Sequence, residues 1–414
     1  MNQKRMVKNF LILSVLQISG FIFPLISLPY LAKTLGIQML GVYSLFQSVT
    51  VITSVIADYG YITNGTQRIS TIKGNSKKIS IIINNALYLR LNIAIAASFC
   101  GAAYLFSVIP KGMQTLPNLL TVVVATVLSS LNLPWVFQGL EKMPQYSAIL
   151  IAGRTFSLML ILALVSGPAN LQTALWVSLL PQLIGAVFSI FYISKYLNWK
   201  FKVPRILDAK LELIYGWNFF TPNFYSIFFT QVGLIALGMY QSQMVVGGYA
   251  VMDRIAKAVG SLNGAVNQAV YPQVAFAMSQ SHSIGVAVLR KYALIFLPPA
   301  LVLSLILAFY SPTIVSIFFG ETYVPFSDAL RYLSIFIFLS SVNTFIGVIY
   351  MNTSGRQREY SRATLVGTLV ALVLYFSLPA LIGYYAPVFG IILGESLIIV
   401  IILSSIFKKR NKNV

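Results

Sequence analysis

The sequence predicts an all-α integral membrane protein, and three observations support this fold class. Hydrophobic residues make up 57% of the 414 residues and charged residues only 9%, whereas a soluble domain carries about 25% charged residues. The apolar residues fall in runs of roughly twenty, the length of a helix that crosses about 30 Å of hydrocarbon. Lys and Arg exceed Asp and Glu by 29 to 9, and most of the excess lies in alternate connections between the runs. The sequence therefore predicts about twelve transmembrane helices, with no room for a separate soluble domain.

The apolar runs predict the positions of the transmembrane spans along the chain. The first, at 10–31, follows a basic leader and lacks the short core and cleavage site of a secretory signal, so we interpret it as an uncleaved helix. The others are predicted at 39–60, 79–107, 116–139, 146–166, 171–194, 214–238, 247–272, 291–310, 329–353, 363–383 and 387–407. The span at 247–272 is unusual because it contains Asp253, Arg254 and Lys257.

The basic residues predict the orientation. If the N-terminus is cytoplasmic, 22 of the 29 Lys and Arg residues lie in cytoplasmic segments. The opposite face keeps three, namely Lys33, Lys111 and Arg331. Cytoplasmic loops of membrane proteins are enriched in Lys and Arg in this way. We therefore expect a multi-pass protein with both termini in the cytoplasm. The net charge of +20 then reflects topology, and no nucleic-acid partner is predicted.

A weak internal repeat divides the chain near its middle. LGVYSLFQS from Leu40 aligns with VGGYAVMDR from Val246 at an offset of 206 residues, which matches Gly41 with Gly247 and Tyr43 with Tyr249. Repeated halves are common in transporters. The sequence thus predicts two pseudo-symmetric lobes of six helices each, with residues 1–205 forming the N-terminal lobe and residues 206–414 the C-terminal lobe.

No motif predicts catalysis, a metal site or a cofactor. The chain contains one Cys and one His, which is too few for a disulfide framework or a Cys/His metal cluster. It also lacks a phosphate-binding P-loop, an H-E-x-x-H zinc motif and a nucleophile elbow. The sequence therefore predicts a protein that is not an enzyme.

Charged residues within predicted spans are the candidates for function, because a charge at the bilayer centre costs about 2.5–3.5 kcal/mol on insertion scales. Four are cations: Arg90, Arg154, Arg254 and Lys257. Asp253 precedes Lys257 by four residues and can pair with it on one helix face, and Glu395 lies about 12 Å into the last span. The deep cations outnumber these two carboxylates, which predicts a cationic cavity for an anion such as a phosphate or pyrophosphate. Asp253 and Glu395 are the candidates for charge partners or coupling groups.

Three segments resemble a known family. LPYLAKTLGIQMLGVYSLFQS (Leu28 to Ser48) and DYGYITNGTQRIS (Asp58 to Ser70) resemble the opening of Wzx-type polysaccharide flippases of the multidrug/oligosaccharidyl-lipid/polysaccharide (MOP) exporter superfamily. PWVFQGLEKM (Pro134 to Met143) is similar to the segment that follows their fourth span. The resemblance implies a MATE-like fold of two lobes, located in the bacterial inner membrane.

The resemblance also implies a function. It implies translocation of an undecaprenyl-pyrophosphate-linked oligosaccharide, such as an O-antigen repeat unit for lipopolysaccharide, by alternating access. The implied partners are this lipid-linked substrate, membrane lipids, a polysaccharide polymerase and a chain-length regulator. Coupling to an H⁺ gradient, to an Na⁺ gradient or to the membrane potential acting on an anionic substrate remains open. Two alternatives remain: a MATE-like multidrug exporter, which the positive cavity disfavours, and a membrane glycan polymerase or ligase, which the short outer loops disfavour.

Overall fold

The computed structural model describes the backbone of residues 3–72 and 74–410, without the side chains of residues 3–19, 21, 22, 206, 222, 409 and 410. Within these ranges every regular element is helical, in agreement with the predicted class. The helices of the first half are α1 (Gln3–Asp58), α2 (Tyr61–Thr71), α3 (Ser76–Val108), α4 (Leu116–Leu131), α5 (Pro134–Gly139), α6 (Met143–Leu164), α7 (Leu171–Val177), α8 (Leu180–Tyr196) and α9 (Ile206–Tyr240). Those of the second half are α10 (Gln243–Gly260), α11 (Leu262–Gln280), α12 (His282–Phe309), α13 (Ser311–Phe319), α14 (Ser327–Asn343), α15 (Gln357–Ser377), α16 (Pro379–Ile382) and α17 (Tyr385–Arg410).

The chain divides into two compact units, residues 1–227 and residues 228–414. The boundary falls inside α9, so the first part of this helix belongs to the first unit and the rest to the second. The lobe boundary predicted from the sequence lies earlier, at the start of the same helix. Helix α9 is therefore an element that both units share.

Two backbone breaks shape the first unit. Gly36, with φ 74° and ψ 165°, interrupts α1, so the spans predicted at 10–31 and 39–60 are the two arms of one kinked element. Tyr59 and Gly60 have φ of 48° and 78° and separate α1 from α2. Glycine adopts positive φ at little cost, whereas a residue with a Cβ is strained there. The second break therefore needs contacts that hold Tyr59 in place.

Helix α2 packs against α5 through small residues. The side chain of Trp135 in α5 is fully buried and contacts Tyr61 of α2, with ring centroids 5.5 Å apart. A Cβ on Gly65 would lie 2.8 Å from Cδ2 of Trp135, so only glycine allows this approach. Two of the segments that carried the family resemblance, 58–70 and 134–143, thus form one packed unit.

The second unit has its own irregular helix. Helix α14 continues into a π-helix, Thr344–Met351, which widens the helix by one residue per turn. Helices α15 and α17 pack together closely, and a Cβ on Gly394 would lie 2.9 Å from the carbonyl oxygen of Gly367. π-Helical segments are rare and occur frequently at functional sites.

Among the described residues, nine helical stretches are long and apolar enough to cross a membrane. They account for the predicted span at 39–60, the four from 79 to 194 and the four from 291 to 407. The span predicted at 214–238 lies in α9. The one predicted at 247–272 is not a single helix, because α10 ends at Gly260 and α11 begins at Leu262. The first span, 10–31, falls mostly on residues whose side chains are not described, and the count of twelve stays a prediction.

Candidate functional site

The break between α1 and α2 is held by an ion pair. Asp58, the last residue of α1, lies with its Oδ1 3.3 Å from Nη2 of Arg90 in α3. Its other carboxylate oxygen accepts a hydrogen bond from the backbone N–H of Ile62, at 3.3 Å, in the first turn of α2. The carboxylate therefore bridges both sides of the break.

Arg90 has its charge satisfied inside the protein. Its side chain is 2% exposed, and its guanidinium donates to the carbonyl oxygens of Asn132 at 3.1 Å and Ser129 at 3.0 Å. These carbonyls lie at the end of α4, where the helix stops before Pro134 and leaves acceptors unused. The role of Arg90 as a cavity cation stays a prediction; in the structure its buried side chain links α1, α3 and α4. The depth of Arg90 in its predicted span could not predict its contact with Asp58, because the two residues meet only as a result of the break between α1 and α2.

A second polar cluster surrounds Glu212 near the start of α9. The carboxylate is 6% exposed and receives two bonds from Arg68 of α2, of 2.6 Å from Nη1 and 2.9 Å from Nη2. The hydroxyl of Tyr61 also donates to it, at 2.9 Å, and Nδ2 of Asn85 in α3 lies at 3.5 Å. Bidentate pairs between Arg and a carboxylate are among the stronger hydrogen-bonded contacts in proteins.

Tyr59 adds a third connection between this break and α9. Its hydroxyl donates to the carbonyl oxygen of Leu213 at 2.9 Å, and its ring stacks on Phe220 at 4.9 Å between centroids. The contacts explain why a tyrosine tolerates positive φ at this position. They also fix the first part of α9 to the first unit.

An open cavity of about 500 Å³ lies beside the Glu212 cluster. It is lined by Arg68, Asn85, Asp208, Leu211, Glu212, Ile214 and Tyr215. The sequence analysis counted Arg68 only as a topology signal and did not consider Glu212. The two residues are 144 positions apart, and no local pattern connects them.

Arg154 lies in α6 and is half-buried. Its guanidinium sits beside α1, since a Cβ on Gly20 would lie 3.5 Å from Nη1 of Arg154. Arg154 and Arg90 both belong to the first unit, where Arg90 is buried and Arg154 is half-buried.

The predicted pairing of Asp253 with Lys257 in α10 is confirmed. Nζ of Lys257 lies 2.5 Å from Oδ2 of Asp253, whose side chain is 7% exposed, whereas that of Lys257 is 23% exposed. The hydroxyl of Tyr249 lies 3.5 Å from the other carboxylate oxygen. Arg254, the next residue, is half-buried. The second unit therefore contains two of the predicted cations within one turn of α10.

Glu395 is a buried carboxylate in α17. The residue is 4% exposed, and its Oε1 accepts a hydrogen bond of 2.8 Å from Nδ2 of Asn343. Asn343 is the last residue of α14 before the π-helix, and its Oδ1 atom is buried without a hydrogen-bond partner among the described residues. Burying an ionised carboxylate with so little compensation is costly, so this position favours a group that can become neutral.

Comparison with known proteins identifies the family. Residues 6–282 match the family model described as "Polysaccharide biosynthesis protein", and these residues include all three segments that carried the resemblance. The chain belongs to this family.

The relatives and solved structures extend the match over the whole chain. A protein of Shigella dysenteriae named as an O-antigen transporter is 24% identical over 401 residues, covering 97% of this chain and all of the relative. The structure of the lipid II flippase MurJ in an inward closed conformation aligns with a TM-score of 0.70 at 10% identity, covering 97% of this chain and 87% of MurJ. An inward-facing multidrug resistance transporter of the MATE family aligns with a TM-score of 0.68 at 14% identity, covering 95% of this chain and 94% of that structure. The chain is thus a multi-pass, all-α membrane protein with the fold of the MOP superfamily.

Proposed function

We propose that this protein is a flippase that moves an undecaprenyl-pyrophosphate-linked oligosaccharide, such as an O-antigen repeat unit, across the bacterial inner membrane by alternating access. Membership of a polysaccharide biosynthesis family, with full-length similarity to a protein named as an O-antigen transporter, carries the proposal. The fold shared with a lipid II flippase supports it. The relatives are named as transporters and flippases, which supports a transport function without catalysis.

A MATE-like multidrug exporter is the alternative in the same fold. Cationic drugs call for a cavity of net negative charge, because like charges repel in a region of low dielectric constant. The deep cations of this chain outnumber its deep carboxylates Asp58, Asp253 and Glu395. The charge balance therefore favours an anionic substrate.

Arg154, Arg254 and Lys257 are the residues that we propose bind the pyrophosphate. Each is at least partly accessible within its own unit, in contrast to Arg90. Arginine binds phosphate oxygens with a planar fork, and lysine acts as a point charge. For Arg90 we propose a structural role instead of pyrophosphate binding.

A gene deletion tests the function. We expect the deletion strain to lose surface glycan and to accumulate the lipid-linked intermediate, which mass spectrometry of extracted lipids would identify. Complementation with Arg154→Ala or Arg254→Ala should reduce surface glycan roughly tenfold, because losing a hydrogen bond to a charged group costs about 1.5–3 kcal/mol. Arg331→Ala is the matched control, since Arg331 is 48% exposed, pairs with the exposed Asp328 and otherwise donates to the carbonyl oxygen of Ala308 at 3.4 Å in the described structure. Normal surface glycan in the deletion strain would reject the proposed function.

Glu395 and Asp253 are the residues that we propose for coupling to an H⁺ or Na⁺ gradient. Glu395 suits a proton because its carboxylate is buried and, among the described residues, accepts a hydrogen bond only from Asn343, whereas Asp253 forms an ion pair with Lys257. Glu395→Gln keeps the shape of the side chain but removes the carboxyl group that could bind and release a proton. We expect transport by this variant in vesicles to lose its dependence on an imposed pH gradient, whereas the exposed Glu321→Gln control keeps it. An unchanged pH dependence of Glu395→Gln would exclude Glu395 as the coupling group.

We also propose that both termini are cytoplasmic and that the protein works with a polysaccharide polymerase and a chain-length regulator. The distribution of basic residues supports the orientation. Alkaline phosphatase fused after Val414 should be inactive and a fluorescent reporter there should be bright. High phosphatase activity would show that the C-terminus lies outside the cytoplasm and would contradict the proposed orientation. Co-purification with the polymerase and the regulator after crosslinking tests the partners.

A further inference from the structure

The cavity beside Glu212 contains a combination of groups that neither the sequence nor the comparisons assign to a function. It is bounded by α2, α3 and the start of α9. Its volume of about 500 Å³ lies within the range of roughly 300–1,000 Å³ typical of small-molecule sites. All its lining residues belong to the first unit.

The polar groups of this cavity present both donors and acceptors. Glu212 is occupied by Arg68 and Tyr61, so we regard it as a positioning residue that holds the Arg68 guanidinium in place. Asn85 offers an amide that donates and accepts, and the half-buried Asp208 offers a carboxylate that accepts. A hydroxyl group both donates and accepts, and is therefore matched by such a mixed set.

The charge of the cavity disfavours an anion. Two carboxylates, Asp208 and Glu212, face one guanidinium, that of Arg68. The cavity thus differs from the cationic positions that we propose for the pyrophosphate. A neutral, hydroxyl-rich ligand satisfies these groups without adding a charge.

An exposed aromatic ring completes the site. Tyr215 is 54% exposed, and the guanidinium of Arg68 lies over its ring, 5.9 Å from the centroid. An aromatic face flanked by planar polar groups can stack on the apolar face of a pyranose ring while the polar groups bind its hydroxyls. The neighbouring Leu211 and Ile214, 56% and 64% exposed, give the cavity an apolar rim on the same helix.

We infer that this cavity is a binding site for sugar residues of the lipid-linked oligosaccharide, separate from the groups that bind its pyrophosphate. Helix α9 begins directly after the basic connection 195–205, so the predicted orientation places the cavity on the cytoplasmic side, where the substrate is loaded. Arg68, Asn85, Asp208 and Tyr215 contact the sugar in this arrangement. The inference rests on the proposed function for the identity of the glycan.

Saturation-transfer difference NMR on the purified full-length protein in nanodiscs tests the site. The probe is the oligosaccharide released from the strain's lipid carrier by mild acid, which lacks the pyrophosphate; inorganic pyrophosphate is the second probe. We expect the oligosaccharide to bind the wild type, with affinity about fivefold weaker in Tyr215→Ala, which corresponds to about 1 kcal/mol, because the stacking contact of the aromatic ring is lost. Tyr215→Phe should bind within about twofold of the wild type, because the ring is kept. Asn85→Ala and Asp208→Asn should also weaken oligosaccharide binding, and inorganic pyrophosphate binding should not change in any of these variants.

The controls separate this site from the proposed function. Tyr310→Ala removes another exposed tyrosine, 60% exposed in the second unit, and should leave oligosaccharide binding unchanged. Thermal unfolding of each variant checks that the fold is intact. Equal binding by the wild type and Tyr215→Ala would overturn the inference, and so would an oligosaccharide that fails to bind the wild type when the deletion strain has lost its surface glycan. A deletion strain with normal surface glycan would instead reject the proposed function itself.

Discussion

Each of the two units contains a break between two consecutive helices, and the two breaks differ in how they are packed. In each, a long helix with the Gly-x-Tyr signature ends at a break and is followed by a second helix: α1 and α2 in the first unit, α10 and α11 in the second. The first break is surrounded by buried contacts, in which Asp58 pairs with Arg90 and Tyr59 stacks on Phe220. The second break, at Ser261, follows the Asp253–Lys257 pair, which lies on one helix and has a partly exposed lysine.

The glycines at the two breaks show the same contrast. A Cβ on Gly60 would lie 2.8 Å from the backbone of Phe219 and Phe220, and Gly65 is packed equally tightly against Trp135. Gly260 and Gly264 have nothing within 4 Å of such a Cβ in the described structure. A helix pattern repeated in the sequence can thus be packed rigidly in one copy and loosely in the other. We expect substitutions in the first unit to cost more, and three pairs of variants test this.

The largest effect is expected at the buried ion pair. Asp58→Asn leaves Arg90 charged and 2% exposed, and a guanidinium cannot lose its proton. Removing one partner of a buried pair costs about 3–5 kcal/mol. Lys257→Met should cost less, about 1–2 kcal/mol, because Lys257 is 23% exposed and a partly exposed ion pair contributes less than a buried one. Unfolding midpoints in SDS or on heating, measured on purified protein, compare the two. An equal loss of stability in both variants would contradict the expectation that substitutions cost more in the first unit.

The next largest effect is expected for a glycine at the first break. Gly60→Ala combines a positive φ of 78° with overlap against the backbone of α9, and we expect a loss of about 3 kcal/mol from the strain and the overpacking together. Gly264→Ala lies in open space within α11 and should be neutral or stabilise the protein by up to about 1 kcal/mol. The same unfolding measurement distinguishes them. A tolerated Gly60→Ala would mean that α9 can move away from the break without cost.

The smallest effect concerns two ion pairs of the same length. Nη1 of Arg68 lies 2.6 Å from Glu212, and Nη2 of Arg356 lies 2.6 Å from Glu359, but Glu212 is 6% exposed and Glu359 42%. Glu212→Gln should lower the free energy of unfolding by about 2 kcal/mol, because hydrogen bonds to buried charged groups are lost. Glu359→Gln should lower it by less than about 0.5 kcal/mol, as is typical of exposed pairs. Similar losses would show that burial does not distinguish these pairs.

The candidate site was only partly predictable. Arg154, Arg254 and Lys257 were found from the cost of placing a charge in a span, and the Asp253–Lys257 pair from helical spacing. The Glu212 cluster was missed because Arg68, Asn85 and Glu212 each look like ordinary residues near a helix end. Arg90 was found from the same cost, but its ion pair with Asp58 was not predicted. Both differences arise from contacts between residues far apart in the chain.

Hydropathy and charge content predicted the fold class and the approximate position of most spans, and three sequence segments predicted the family. Hydrophobic length and charge content are local properties, and the bilayer imposes them segment by segment because every backbone polar group in lipid must be bonded within a helix. Which charges are paired inside the protein and which remain accessible is seen only in the three-dimensional structure. Whether Arg90 binds a ligand or Asp58, and whether Glu212 faces water or Arg68, depends on how the break at Tyr59 and Gly60 directs α2 toward α5 and α9. That direction follows from the packing of small residues against Trp135 and Phe220, which no hydropathy pattern records.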